Sequence, residues 1–419
     1  MTTSVSAKSP VRASSWQAVA VVLAFAFAYF LSALLRAITA TLAPVFSREL
    51  GLASADLGLL AGAYFFGFAA MQLPLGRALD RFGPRRVLLV LLSGAVIGCL
   101  AFSQAGSLGA LIASRLLIGM GVSACLMAPL TCFRHVFDPG TQLRLNSWML
   151  MTGSFGMLAS TLPVQMVLPY WGWRGLFVGL AVLLVLAIGL IGWLAPRGEP
   201  AAAAPGGGRY RDIMRHPMFV AMAPLGFFSY GGLIAIQSLW AGPWLTQVAG
   251  WSAAEAAEGL FAINLSMLFA FMAWGLVMPR LARSGVQARH LITWALPTSL
   301  LLLALIVVLG PAAGAAHWAL WCVLSTSVSL SQPAIAQAFP AAWAGRALSA
   351  FNLVIFGGVF CVQWGIGLAI DAFGASGGSL QASFQGAFGM YGACCVLAQW
   401  WFHQRQRQML IIGTDFAKR

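Results

Sequence analysis

The chain has 419 residues, of which 60% are hydrophobic and only 8% charged, and its mean hydropathy is +0.86. A soluble domain of this size carries charged residues over roughly a quarter of its sequence, so a water-soluble globule is excluded. The formal net charge of +14 raises the alternative of a polyanion partner, which the distribution of the basic residues then removes.

Apolar runs recur along the chain near 17–44, 54–75, 86–105, 108–132, 145–168, 175–195, 217–246, 256–278, 290–311, 315–338, 347–370 and 383–403. Runs of about 20 residues cross the ~30 Å of a hydrocarbon layer as helices. They are too long and too uniformly apolar for barrel strands, and lipid satisfies no backbone polar group, so each is predicted to be an α-helix. The opening MTTSVSAKSPVRASSW reads as a polar tail over 1–16. The apolar run behind it exceeds the ~7–15 residues of a cleaved leader's core, so it is expected to remain as the first span.

Basic residues fall in alternate connections. Lys8 and Arg12 precede the first run; Arg77, Arg81, Arg85 and Arg86 follow the second; Arg134 and Arg144 follow the fourth. Arg197, Arg209, Arg211 and Arg215, then Arg280, Arg283 and Arg289, then Arg346, and finally Arg405, Arg407, Lys418 and Arg419 continue the pattern, against Arg48 and Arg174 in the other set. That asymmetry predicts both termini on the cytoplasmic side of the inner membrane, an even number of spans and no nucleic-acid partner. All seven cysteines lie in or at the ends of spans, so neither disulfides nor a zinc site is expected.

The one long polar connection, PRGEPAAAAPGGGRYRDIMRH at 196–216, has the composition of a flexible cytoplasmic linker. It divides a first bundle over 17–195 from a second over 217–403, with a tail over 404–419. At a shift of 202 residues Arg81 meets Arg283, Gly83 meets Gly285, Phe137 meets Phe339, Arg144 meets Arg346 and Gly172 meets Gly374. The expected fold is therefore an all-α membrane protein with 12 transmembrane helices in two pseudo-symmetric six-helix bundles.

The stretch GRALDRFGPRRVLL at 76–89 resembles the signature loop of the major facilitator superfamily, matching at Gly76, Asp80, Arg81, Gly83, Arg85 and Arg86. Pro84 departs from the usual basic residue, and Ala78-Leu79 inverts the common order. A second, degenerate copy, MPRLARSG at 278–285, keeps Arg283 and Gly285 but has Ala282 in place of the acid; SRLLIGMG at 114–121 and GWRGLF at 172–177 extend the likeness over most of the chain. The resemblance implies alternating access, with Gly76, Asp80, Arg81, Gly83 and Arg85 as a conformational latch whose contacts form and break as the bundles rock. Read directly, Gly83 permits a tight turn, while Asp80 can cap a helix start or pair with a neighbouring arginine. Arg86 is read as a topology signal.

The first run contains SALLRAITATLAP at 32–44. An arginine at a helix centre costs roughly 2.5–3.5 kcal/mol and usually faces a bundle interior or a wet cavity. Arg36, Pro44, LGLASADLGLLAGAYFFGF and the loop after it follow an order similar to that of anion:cation symporters and organophosphate antiporters, which implies an anion-binding role for Arg36. Arg115, in span four, is expected at comparable depth, either completing a bidentate clamp or bonding carbonyls between helices. Tyr64, Gln237, Trp240, Asn264, Asn352 and Gln363 are candidates for orienting a solute, or equally for interhelical contacts worth ~0.6 kcal/mol. Gly242-Pro243 is expected to kink or unwind span seven into an outer gate, with Trp244 as an interfacial anchor.

No carboxylate or histidine occupies a predicted midplane, so a relay through a buried acid is unsupported, and coupling to a proton or another cation stays open, with Glu258 one candidate. Span five, MTGSFGMLASTLPVQ at 151–165, lacks the glycine-proline pattern of drug:proton antiporters, which weakens the drug or metabolite efflux alternative. Met214, His216, Met218 and Met222 suit Cu(I) and a copper-importing branch of the superfamily, but span eight has Met267 and Met272 without histidine. No nucleotide loop, metal spacing or triad marks an enzyme, and no cofactor is expected. The sequence therefore points to a secondary transporter of a small organic solute, an anion by the Arg36 argument, acting as a monomer in the bilayer; a non-transporting sensor on the same fold is the remaining alternative.

Overall fold

The computed structural model describes residues 15–137, 139–196, 210–284 and 288–417. The predicted tail lies outside the described residues up to 14, as do 197–209 of the linker, Gly285 of the second loop copy and the last two residues of the chain. The first half consists of α1 (Ser15–Leu50), α2 (Ser54–Ala70), α3 (Gln72–Phe82), α4 (Pro84–Gln104), α5 (Leu108–Val122), α6 (Met127–Val136), α7 (Pro139–Ala159) and α8 (Leu162–Leu194). The second half has α9 (Tyr210–Arg215), α10 (Pro217–Val248), α11 (Ala253–Arg283), α12 (Ala288–Leu309), α13 (Ala315–Gln337), α14 (Ala341–Ala375) and α15 (Leu380–Ala417). The described residues contain no strand; eight of these helices, with α5 and α6 together over Leu108–Phe133 as a ninth, are long and apolar enough to cross a membrane, or ten spans in all if α2 and α3 form one bent span. The chain is a multi-pass helical membrane protein.

The breaks fall where the backbone requires them. Gly83, at φ 80°, turns α3 into α4, and Pro84 occupies the first turn of α4, where its missing N–H costs nothing. Gly172, at φ 61°, kinks α8, so the run predicted at 145–168 is shared between α7 and the start of α8. Ser107 starts α5 by accepting the Ala110 N–H at 3.3 Å. A 45° bend separates α2 from α3.

Span seven differs from its expectation. α10 passes through Gly242-Pro243 without unwinding and is widened into π-helical turns over Leu225–Tyr230, Ile236–Trp240 and Trp244–Val248. Wider turns accommodate a proline that cannot donate, so the helix need not break. Gly242 lies so close to α1 that a Cβ there would come within 2.7 Å of the Ala40 carbonyl. Nor is Trp244 an interfacial anchor: it is fully buried, donates its indole N–H to the Ala313 carbonyl at 3.0 Å and packs edge-on against Trp318. With Phe384 and Phe388 these rings form the aromatic core of the second half. Phe46, Phe102, Trp173 and Phe177 do the same in the first, with Phe102 and Phe177 at 4.1 Å between centroids.

Besides the packing of α10 on α1, the halves meet along α2 and α14, which run antiparallel. Gly367 faces Ser54, Gly58 faces Gln363 and Gly62 faces Phe360, each close enough that a Cβ on the glycine would overlap its neighbour. Further along, Phe65 and Phe68 lie against Phe356, the latter at 4.6 Å. Small residues on facing stripes let two helices approach at backbone distance, which is how helices associate where lipid removes the hydrophobic drive.

Candidate solute site

Arg36 projects from α1 with its guanidinium carbon 5.7 Å from the centroid of the Phe68 ring on α2. Its Nε is buried and has no hydrogen-bond partner. The Tyr64 hydroxyl lies beside the guanidinium and donates to the Ser32 carbonyl at 3.1 Å, while Tyr29 and Tyr230 are the next ionisable neighbours. The helix period explains the grouping, since Tyr29, Ser32, Arg36 and Thr39 fall on one face of α1. Tyr230 comes from α10, so groups from both halves of the chain surround this cation. Aromatic faces and phenol oxygens soften the cost of the charge, with the Tyr64 hydroxyl as a hydrogen-bonding neighbour and Nε left without one.

Arg115 is 1% exposed and commits its two Nη atoms to α1, while its Nε, like that of Arg36, is buried without a partner. One Nη donates to the Leu35 carbonyl at 2.9 Å and the other to the Thr39 hydroxyl, one turn around Arg36. Its guanidinium lies over Tyr64 at 5.6 Å and Phe102 at 5.9 Å. Tyr64 is thus bracketed by two cations, one over its ring and one at its hydroxyl.

The predicted hydrogen-bonding residues meet one another. Gln237 donates to Asn264 at 2.5 Å and to the Met157 sulfur at 3.3 Å, and Asn264 donates to the Leu260 carbonyl. Trp240, fully buried, donates to the Gln363 carbonyl at 3.0 Å; Gln363 donates to the Ser238 hydroxyl at 2.9 Å and leaves its Oε1 buried without a partner. Asn352 accepts from Gln332 at 2.8 Å, and Gln332 receives the Tyr230 hydroxyl at 3.5 Å. Ser32, Thr39, Tyr29, Phe68, Tyr230 and Gln332 were not singled out from sequence. The first three were available from the helical period around Arg36, whereas the others come from elsewhere in the chain.

At the loop, α3 carries Gly76, Asp80 and Arg81; the latter two are exposed, and Arg81 lies over the Phe82 ring at 5.1 Å. Arg85 reaches the Gly192 carbonyl near the end of α8. Of the methionine group, Met222 is buried in the core and Met214 is half exposed. His216 uses Nδ1 to accept the Met218 N–H at 3.3 Å while its ring lies 4.5 Å from Phe339. Among the described residues no group of three or more His, Cys, Asp or Glu side chains is placed to hold a metal.

Residues 25–362 match the family model of the Major Facilitator Superfamily, and the chain belongs to that family. Among curated proteins it is 30% identical over 168 residues to a probable sulfoacetate transporter of Cupriavidus necator, covering 39% of this chain and 37% of that one. It is 31% identical over 168 residues, with the same coverage, to a 4-hydroxybenzoate transporter of Pseudomonas putida. The matched part spans little more than a third of the length of these relatives. In fold it is similar to a bacterial homolog of the human lysosomal transporter Spinster in an inward-facing, unoccupied conformation, with a TM-score of 0.74 at 17% identity over 95% of this chain and 98% of the other.

Proposed function

We propose that the chain is a secondary carrier that moves a small organic anion across the bilayer by alternating access, with Arg36 as the charged contact. The observation that carries this is the setting of the guanidinium: rings and the phenol groups of Tyr64, Tyr29 and Tyr230, drawn from both halves, surround it, whereas both Nη atoms of the cation next to it donate to backbone and hydroxyl oxygen of α1. An arginine inside a span costs several kcal/mol unless something repays it, and a carboxylate, sulfonate or phosphonate meeting it in bidentate fashion does so. Sulfoacetate and 4-hydroxybenzoate, the solutes in the relatives' names, are anions at neutral pH.

On this reading Arg115 holds α1 in place and does not touch the solute, while Tyr64 fixes the orientation of Arg36. Gln237, Asn264, Trp240, Gln363 and Asn352 line the second side and exchange their mutual bonds for solute contacts as the halves rock. The halves act as six-helix bundles in a monomer of the inner membrane, with both termini cytoplasmic. Asp80 and Arg81 latch the loop in the opposite state. A coupling proton or other cation is compatible with this scheme, but no interior acid supports a particular one.

Uptake of labelled carboxylates and sulfonates into proteoliposomes tests the reading. Arg36→Ala is expected to lower uptake about 100-fold, the loss of roughly 3 kcal/mol of charge-assisted bonding, with Arg36→Lys intermediate. Undiminished uptake by the alanine variant would discard the role of Arg36.

A further inference from the structure

The seam between α2 and α14 ends in a contact that solute binding does not use. The first backbone N–H groups of a helix have no partner within it. At the start of α2 the Ala53 N–H bonds Asp56 of the same helix at 3.1 Å. The next two bond a residue from the other half of the chain: Ser54 N–H reaches Asp371 Oδ1 at 3.2 Å and Ala55 N–H reaches Oδ2 at 2.8 Å. Asp371 lies near the end of α14, one turn beyond Gly367, whose lack of a side chain lets α14 approach the Ser54 carbonyl.

We propose that Asp371 is a positioning residue for transport, a lock that closes the carrier at the end where α1 finishes and α2 begins. Both carboxylate oxygens are engaged, each on a different amide, so the contact needs the two helices in full register. A charge at a helix terminus loses its effect beyond the first turn, so a small tilt of α14 away from α2 removes the whole interaction. At this end of the α2–α14 seam the contact is therefore either made or absent. At the far end of the same helix pair Asp80 is exposed, consistent with a carrier closed at the Asp371 end. The lock rests on the reading of the chain as an alternating carrier, but not on the role of Arg36 or on the identity of the solute.

The test is a distance measurement across that end. Gln104, at the end of α4, and Ser376, just past α14, are both exposed there. Nitroxide labels on Gln104→Cys and Ser376→Cys, in a chain with Cys361 and Cys394 replaced by serine, report the separation of the halves by pulsed electron resonance. Asp371→Ala is expected to shift the population toward longer distances, changing the open-to-closed ratio about tenfold, as loss of charge-assisted bonds predicts. Asp371→Asn, which keeps the size and loses the charge, shifts it part of the way, and it serves if the alanine variant does not fold. Asp371→Glu restores most of the closed population. In uptake assays the same variants change the maximal rate more than the half-saturating concentration. Unchanged distances in both the alanine and asparagine variants, whatever happens to thermal stability, would reduce Asp371 to a helix cap and overturn the lock. A shifted distribution in a protein that moves no solute would instead count against the carrier reading.

Discussion

Arg36 and Arg115 are the same residue type, in the same half, at the same level of α1 and both beside Tyr64, and they differ in what their terminal nitrogens meet. Arg115 has backbone and hydroxyl oxygen within reach and is sealed in the core. Arg36 has rings and phenols around it, and among the described residues no permanent carbonyl anchor like that of Arg115 marks its surroundings; the Nε of each arginine is buried without a partner. The contrast shows that burying a cation in a membrane domain has two solutions. One is a permanent partner, which makes the residue a staple; the other, on the function proposed above, is a transient partner, which would make it a site.

The comparison can be broken by stability measurements. The largest effect is expected from Arg115→Ala, which unhooks α1 from α5 and leaves the Leu35 carbonyl and Thr39 hydroxyl without their donor. It should cost about 3 kcal/mol, read as a drop of several degrees in the thermal midpoint of purified protein. A smaller effect follows from Tyr64→Phe, which removes the bond to the Ser32 carbonyl. About 1 kcal/mol is expected, with weaker solute binding because the hydroxyl beside Arg36 is gone. The smallest is Arg36→Met, which keeps the length of the side chain and deletes the charge. Stability should stay within about 0.5 kcal/mol of the parent or rise, although transport is lost. If Arg36→Met costs as much as Arg115→Ala, the two arginines are both staples and the distinction fails.

The all-helical, multi-pass character of the chain was visible in the order of its apolar runs, because hydropathy acts locally along the chain. Arg36 stood out for the same reason, as a lone cation in an apolar stretch. The role of Arg115 could not be decided that way, since its partners lie on another helix, 80 and 76 residues away, and one of them is a main-chain carbonyl. Asp371 was hidden more completely. Its targets are two amide N–H groups more than 300 residues away, and amides carry no mark in a sequence. Trp244 misled through its chemistry, because an indole suits both a headgroup layer and a packed core with an acceptor nearby. At Gly242-Pro243 the residues announced a disturbance correctly, but a widened turn and a break look alike in one dimension.

The contact between Asp371 and the first amides of α2 also says something about solvent. When it parts, a carboxylate and two N–H groups lose their partners at once, and hydrocarbon offers none in exchange. Separation at that end would therefore be accompanied by local hydration of the groups it uncovers. Large sugars or polymers excluded from that end are expected to draw the water out and favour closure there, so the balance between the two ends would respond to the osmolarity of the medium that this end faces.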